Sequence, residues 1–241
     1  MPDAAKPTDH RTRVAAERRE RMRRRLIESA MIVFADKRVG ASVIPEVVAA
    51  AEVSQGSFYN YFRTNEELLA SVSNELSNEM IALIEDATAG IDQPAQKVAS
   101  AVRCYLHLAR SHRQLARFLA GAGLHLAGAS AAARQTSAVY DFLPAGLEAG
   151  QACGDFAEAP VAIAADVVKG AMLVAIDRMA HGRTAKDYPD RITALILRAL
   201  GVPADKIERL IAPTLPKVAP AADSLLARVQ VRAAAKASAE G

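Results

Sequence analysis

Residues 43–62 read VIPEVVAAAEVSQGSFYNYF, and this stretch decides the fold. Ile44, Val47, Val48 and Ala51 fall on one side at the three-and-four spacing that lets a helix bury one face. Ser42 stands where it can cap the helix start by bonding a free backbone N–H. Pro45 lies in the first turn, where a missing N–H costs little. Glu52-Val53-Ser54 then reads as a tight corner. Ser54 is placed to cap a second short helix, on which Phe58 and Phe62 set two rings one turn apart. The spacing predicts two short helices joined by a turn.

At about 100° per residue, Gly56, Ser57, Tyr59 and Asn60 point away from the two rings, with Gln55 at the N-terminal end. This face is small, polar, rich in donors and almost uncharged. A helix entering the DNA major groove needs that character: Gly56 and Ser57 allow close approach, Gln55 and Asn60 can pair with base edges, and a tyrosine hydroxyl can bond phosphate. The same face has a second reading, a solvated surface of an ordinary helical bundle, because short helix-turn-helix patterns recur by chance.

The surroundings discriminate between the two. From about Arg25 to Leu69 the chain resembles the DNA-binding domain of the TetR family of transcriptional regulators. The resemblance is carried by Ala30, Phe34 and Gly40, by Ser42, by the run Val53-Ser54-Gln55-Gly56-Ser57-Phe58-Tyr59-Asn60-Tyr61-Phe62, and by Glu66-Glu67-Leu68-Leu69. It implies DNA contacts from Arg24, Arg25, Ser42, Ser54, Gln55, Gly56, Ser57, Tyr59, Asn60 and Tyr61. Two positions depart from the family pattern. Glu52 replaces the usual corner glycine, which suits a left-handed backbone better. Asn65 replaces a lysine that typically touches phosphate.

Working outward, residues 1–20 read as a basic, partly disordered arm. Arg11, Arg13, Arg18, Arg19, Arg21, Arg23, Arg24 and Arg25 are interrupted only by Glu17 and Glu20. Such a run is often a solvated face. Beside a reading helix, its arginines can neutralise phosphates, and the loose part around Arg11 and Arg13 can enter a minor groove. Met22, Leu26, Ala30 and Phe34 make one helical stripe, so residues 21–65 are expected to form a three-helix DNA-binding unit with the helix-turn-helix at 43–62.

Residues 66–201 read as a helical body. A helix from about Glu66 to Ala89 links to it, and others follow over about 95–111, 114–126, 131–151, 160–182 and 189–200. Gly121 and Gly123 should interrupt the third of these six, and Pro144 should kink or break the fourth. No strand-like alternation appears, so the fold class is all-α: an N-terminal helix-turn-helix domain plus a C-terminal helical bundle for ligand binding and dimerisation. Residues 202–241 form an extension, partly flexible, with two short helical patterns around Ile207-Leu210-Ile211 and Leu225-Leu226-Val229-Val231; the sequence leaves open what they pack on.

The helices near 160–182 and 189–200 are apolar on more than one side and must be covered on more than one side. Either they are buried within a monomer, or they form a four-helix interface with a symmetry mate. The resemblance implies the homodimer, with Val168, Met172, Ile176, Ile192 and Ile196 as candidate interface residues. A two-fold molecule also suits a palindromic operator, because it sets two reading helices about one DNA turn apart. The resemblance further implies a small-molecule effector bound among the body helices. Tyr105, Phe118, His125, Tyr140 and Met172 are candidate liners, and each also reads as simple core packing.

Catalytic chemistry finds no support. No H-E-x-x-H, phosphate loop or nucleophile elbow accompanies the five histidines, so catalytic residues, metal and cofactor are all expected to be none. Apolar residues make up 51% of 241, ample for a core, while a net charge of +3 does not by itself imply nucleic acid. No apolar run is long enough for a membrane span, and the basic start lacks the apolar stretch of a secretory signal. Cys104 and Cys153 are expected as reduced thiols of a cytoplasmic protein. The function expected is a sequence-specific DNA-binding regulator, a repressor released from its operator by an effector. An architectural DNA-binding protein without effector, or an all-α enzyme with a vestigial head, are the alternatives.

Overall fold

Helical periodicity along the chain becomes an all-α architecture in which a small head rests on a bundle of longer helices. The computed structural model describes residues 7–37, 43–127 and 139–239. Their helices are α1 (Pro7–Asp36), α2 (Ile44–Ala50), α3 (Gln55–Tyr59), α4 (Asn65–Thr88), α5 (Pro94–Ser111), α6 (Arg113–Ala127), α7 (Val139–Ala152), α8 (Val161–His181), α9 (Tyr188–Ala199), α10 (Ala204–Ile211) and α11 (Leu225–Ala239). No strand occurs among the described residues.

The N-terminal arm differs from expectation. It is helical from Pro7 onward and continuous with the head's first helix. Arg13–Glu17 at 3.7 Å and Arg24–Glu20 at 3.2 Å are i,i+4 pairs along it, each supporting the helix by a few tenths of a kcal/mol (~0.2–0.5). Arg11 and Arg13 therefore belong to a rod, not to the loose chain that a minor-groove arm requires.

The head's core is made by Leu26, Ile27, Ala30, Met31 and Phe34 of α1, Val47 of α2, and Phe58 and Phe62 from α3 and its exit. The same apolar cluster continues into Leu69, Val72 and Leu76 of α4, Leu115 and Phe118 of α6, and Leu225, Leu226 and Val229 of α11. Phe34 and Phe118 meet edge to face at 6.4 Å across the head–body junction, and Arg117 pairs with Asp36 at 3.0 Å beside them. Closing each such ring off from water stabilises by roughly 1.5–3 kcal/mol.

A second cluster fills the body. Val98, Val102 and Leu106 of α5 pack with Leu147 of α7, Val168 and Ile176 of α8, Ile196 and Leu197 of α9, and Ile207 and Leu210 of α10. Gly201, at φ +87°, turns the chain from α9 into α10; a Cβ there would lie 2.6 Å from that of Ala157. Two expected breaks do not occur. The third body helix, α6, runs through Gly121 and Gly123 because Ala122 and Phe118 are fully buried and packing outweighs the cost of glycine. Pro144 sits inside α7 without ending it. Residues 128–138, which include the expected start of the helix over 131–151, lie outside the described residues.

Candidate nucleic-acid interface

The corner between α2 and α3 is built by capping and one left-handed residue. Ser42 lies outside the described residues; the N-cap of α2 is Val43, whose side chain offers no acceptor, so the proposed Ser42 cap is replaced by a buried apolar residue. At the far end, Glu52 adopts φ +50°. Ser54 then caps α3: its Oγ accepts from Ser57 N–H at 3.1 Å and lies 2.9 Å from Ser57 Oγ. Phe58 and Phe62, 6.0 Å apart, pin the inner side of α3 and its exit.

Pinning those rings turns the opposite side outward. Ser54, Gln55, Gly56, Tyr59 and Asn60 are exposed, Tyr59 with 48% of its surface open, while Ser57 and Tyr61 are half-buried. A Cβ on Gly56 would meet nothing, so its use is outward, a flat spot on the surface. Downstream, Thr64 Oγ1 accepts from Glu67 N–H at 3.1 Å and Glu67 accepts from Arg63 N–H at 2.7 Å, a reciprocal cap that starts α4. Asn65 is half-buried there, its Oδ1 closed off without a protein partner.

The arginines divide by role. Arg24 is exposed and held loosely by Glu20. Arg25 is half-buried and tied to Glu52 at 2.5 Å, so one side of its guanidinium is already occupied by a carboxylate. Arg19 stacks over Tyr61 and Arg23 over Phe62, each 5.9 Å from the ring centroid. Between α1 and the exit of α3 runs a groove of about 500 Å³ lined by Arg18, Arg19, Met22, Asn60 and Tyr61. Arg18 and Arg19 were not singled out by the sequence, although both stand in the basic run. Only the extension of α1 as a rigid helix brings them beside Asn60.

Residues 26–72 match the family model for bacterial regulatory proteins of the tetR family. The head is therefore similar to the DNA-binding domain of that family. It is 32% identical over 71 residues to the HTH-type transcriptional repressor DhaR of Mycobacterium sp. (strain GP1); the match covers 28% of this chain and 36% of that repressor. Over longer spans it is similar to the crystal structure of RolR in complex with resorcinol, with 26% identity, a TM-score of 0.61, and coverage of 85% of this chain and all of that one. It also shares its fold with the regulator FadR of Bacillus subtilis in complex with stearoyl-CoA, at 20% identity and a TM-score of 0.59, over 73% of this chain and 96% of that one.

The expected pocket residues, where described, are divided between the two apolar clusters. Phe118 is fully buried against Phe34 in the head–body cluster. Met172 packs in the separate body cluster. Tyr105 touches both clusters, and burial pushes its hydroxyl pKa up to about 12. The side chains of His125 and Tyr140 lie outside the described residues. A different concavity is present: an open cleft of about 520 Å³ between α5 and residues 212–218, floored by Arg103, His107 and Asp190. Arg103 Nε donates to Asp190 Oδ1 at 2.7 Å, and His107 Nε2 lies 3.2 Å from the same oxygen. Burial raises the Asp190 pKa, but these bonds outweigh it and hold the carboxyl below the usual range. The missed signal was Arg103, a charge inside the otherwise apolar face of α5.

The candidate interface residues differ in exposure. Val168, Ile176 and Ile196 are sealed in the subunit's own core at 0–3% exposure, and Met172 and Ile192 are half-buried. The apolar groups left open on the same two helices are Ile163, Val167 and Val174 of α8 and Leu195 of α9, at 45–62% exposure. The subunit thus covers one side of these two helices itself and leaves the apolar groups of another side open. With apolar groups on two sides of α8, periodicity does not say which side the subunit itself covers. Neither cysteine is in a disulfide: Cys104 is buried and Cys153 exposed. Among the described residues no cluster of histidine, cysteine and carboxylate groups could hold a metal ion, and no helix is long and apolar enough to cross a membrane.

Proposed function

We propose that this chain is a sequence-specific DNA-binding regulator of transcription, acting in the cytoplasm as a homodimeric repressor of a palindromic operator, and a binding protein rather than an enzyme. One observation carries the reading: a capped five-residue helix is pinned from behind by Phe58 and leaves Gln55, Gly56, Tyr59 and Asn60 facing out. Gln55 and Asn60 read base edges, and Tyr59 and Ser54 contact phosphate. Arg18, Arg19 and Arg24 supply the salt-dependent affinity to the backbone. The Ile163–Val167–Val174 stripe and Leu195 are the face on which a second copy docks; an apolar row left open on two packed helices supports this.

Control comes from a small molecule. The similar RolR was solved with resorcinol, which supports effector control in this chain without naming the ligand. A ligand favouring one arrangement of head on body shifts the population towards it and changes operator affinity accordingly. Tyr105 and the cleft beneath residues 212–218 are the proposed region.

Selection of bound fragments from random genomic DNA tests the reading. A recovered palindrome with half-sites one helical turn apart, or a multiple of it, is expected. Equal, weak and fully salt-erasable attachment to every duplex would remove sequence reading from the proposal.

A further inference from the structure

The segment after α9 does more than trail from the body. α10 is fixed by Lys206, 2.5 Å from Asp155, and by Gln96 Nε2, which donates to Leu210 O at 2.9 Å. Residues 212–218 then cross α5, where Arg103 Nη1 donates to Pro213 O at 2.8 Å. The chain arrives at the head as α11. Its start is capped twice: Ser224 Oγ accepts from Ala227 N–H at 3.1 Å, and the Glu79 carboxylate of α4 accepts from Leu226 N–H at 3.3 Å. Leu225, Leu226 and Val229 are 1% exposed and belong to the same cluster as Phe34, Val47 and Phe58.

Two arginines one turn apart on α11 reach past this apolar face. Arg228 Nε donates to Glu28 Oε1 of α1 at 2.5 Å. Its Nη2 makes no hydrogen bond but stands 3.6 Å from Glu75 Oε1 of α4, so one guanidinium spans head and body. Arg232 Nη1 donates to Ser29 Oγ at 2.9 Å, and its Nη2 donates to Ala50 O. Ala50 is the last residue of α2. Its carbonyl is among those that a helix end leaves without an internal partner, and a cation there is favoured by the helix dipole. Two residues later comes Glu52, the left-handed corner, gripped by Arg25. The corner that aims α3 is thus held from α1 and from α11.

We propose that α11 is a working part of the DNA-reading unit, with Arg232 and Arg228 as positioning residues that set the direction of α3 and the seat of the head on the body. This rests on the DNA-reading role given to α3. Neither arginine needs to touch DNA; each acts through the corner or through α1.

The test uses full-length protein carrying Arg232→Ala, Arg232→Lys, Arg228→Glu, and Arg228→Glu combined with Glu28→Arg. Amide exchange is followed by mass spectrometry without DNA, so this arm stands whether or not DNA reading is correct. Arg232→Ala should speed exchange across residues 44–62 about tenfold while residues 94–111 and 161–181 keep their protection. Lys, which retains one donor at Ala50, should restore part of it, and the charge swap should recover what Arg228→Glu loses. On the duplex recovered by genomic selection, Arg232→Ala should lose about tenfold in affinity, with little change on a mixed-sequence 30-bp duplex. Unchanged exchange at 44–62, equal acceleration throughout the chain, or no rescue by the swap would each overturn the proposal. Loss of selective DNA binding in the unmodified protein, with the exchange pattern intact, would instead count against the reading role of α3.

Discussion

Glu52 Oε2 lies 2.5 Å from Arg25 Nη2, and this ion pair holds the one non-glycine residue with positive φ among the described residues. The backbone at φ +50° is a position that glycine fills without strain. The carboxylate compensates by anchoring the corner to α1.

Replacing Glu52 by glycine removes the strain together with the pair. The left-handed conformation costs an L-residue about 1–2 kcal/mol, and an exposed ion pair contributes less than about 1 kcal/mol. Glu52→Gly is therefore expected to raise stability by about 0.5–1 kcal/mol, and Glu52→Ala, which keeps the strain and loses the pair, to lower it. Urea unfolding of both variants checks the sign.

On the reading face, Gln55→Ala or Asn60→Ala should cost about 1–3 kcal/mol on the selected duplex and relax its sequence preference. Arg19→Ala and Arg24→Ala should weaken all duplexes alike and lower the salt slope by about one each. Titrations at several salt concentrations separate the two behaviours. Equal loss on every sequence for all four variants would contradict the division of roles.

For the assembly, Val174→Asp and Leu195→Asp place charges on the open stripe. They are expected to convert dimer to monomer in sedimentation experiments, with the fold retained, since both positions are exposed in the subunit. Val168→Ala, inside the core, should instead lower stability by about 1–3 kcal/mol and leave the assembly state alone.

Phe118→Ala separates core from pocket. Removal of a ring that is fully buried against Phe34 is expected to cost about 3–5 kcal/mol in unfolding free energy. A variant of near-normal stability with altered ligand response would assign Phe118 to the ligand site.

Acid should act through Asp190 and Asp155. Burial raises the Asp190 pKa, and the Arg103 and His107 bonds more than reverse it. At Asp155 the Lys206 bond lowers the pKa against a smaller burial effect. Both folded pKa values lie below the unfolded value, so the native state binds the proton less readily. The stability they contribute is complete above the usual aspartate pKa of 3.8 and drains away as pH falls through the lower folded values. Asp190→Asn should cost about 2 kcal/mol at pH 7 by weakening a bond to a buried guanidinium, and progressively less below pH ~4. Urea midpoints from pH 3 to pH 7 measure both.

What could be read beforehand follows the reach of local physics. Ser54, Phe58 and Phe62 declared the second short helix because cap and ring spacing are contained within nine residues. The helix ends at Pro94 and Val161 were equally legible from punctuation. The face of α8 was not, since Val168 and Val174 are chemically alike and only the packing of α5 and α9 selects which is covered. The fate of α11 was also illegible. Nothing near Arg232 in sequence points to Ala50, and only the closed fold makes them neighbours.

That pairing orders events in time. A ribosome makes Leu26, Val47 and Phe58 early, but Leu225, Leu226 and Val229, which finish the same core, emerge only after the whole body. A nascent or prematurely stopped polypeptide therefore carries an incomplete, partly greasy head, and selective attachment to the chromosome is expected only from molecules translated through α11.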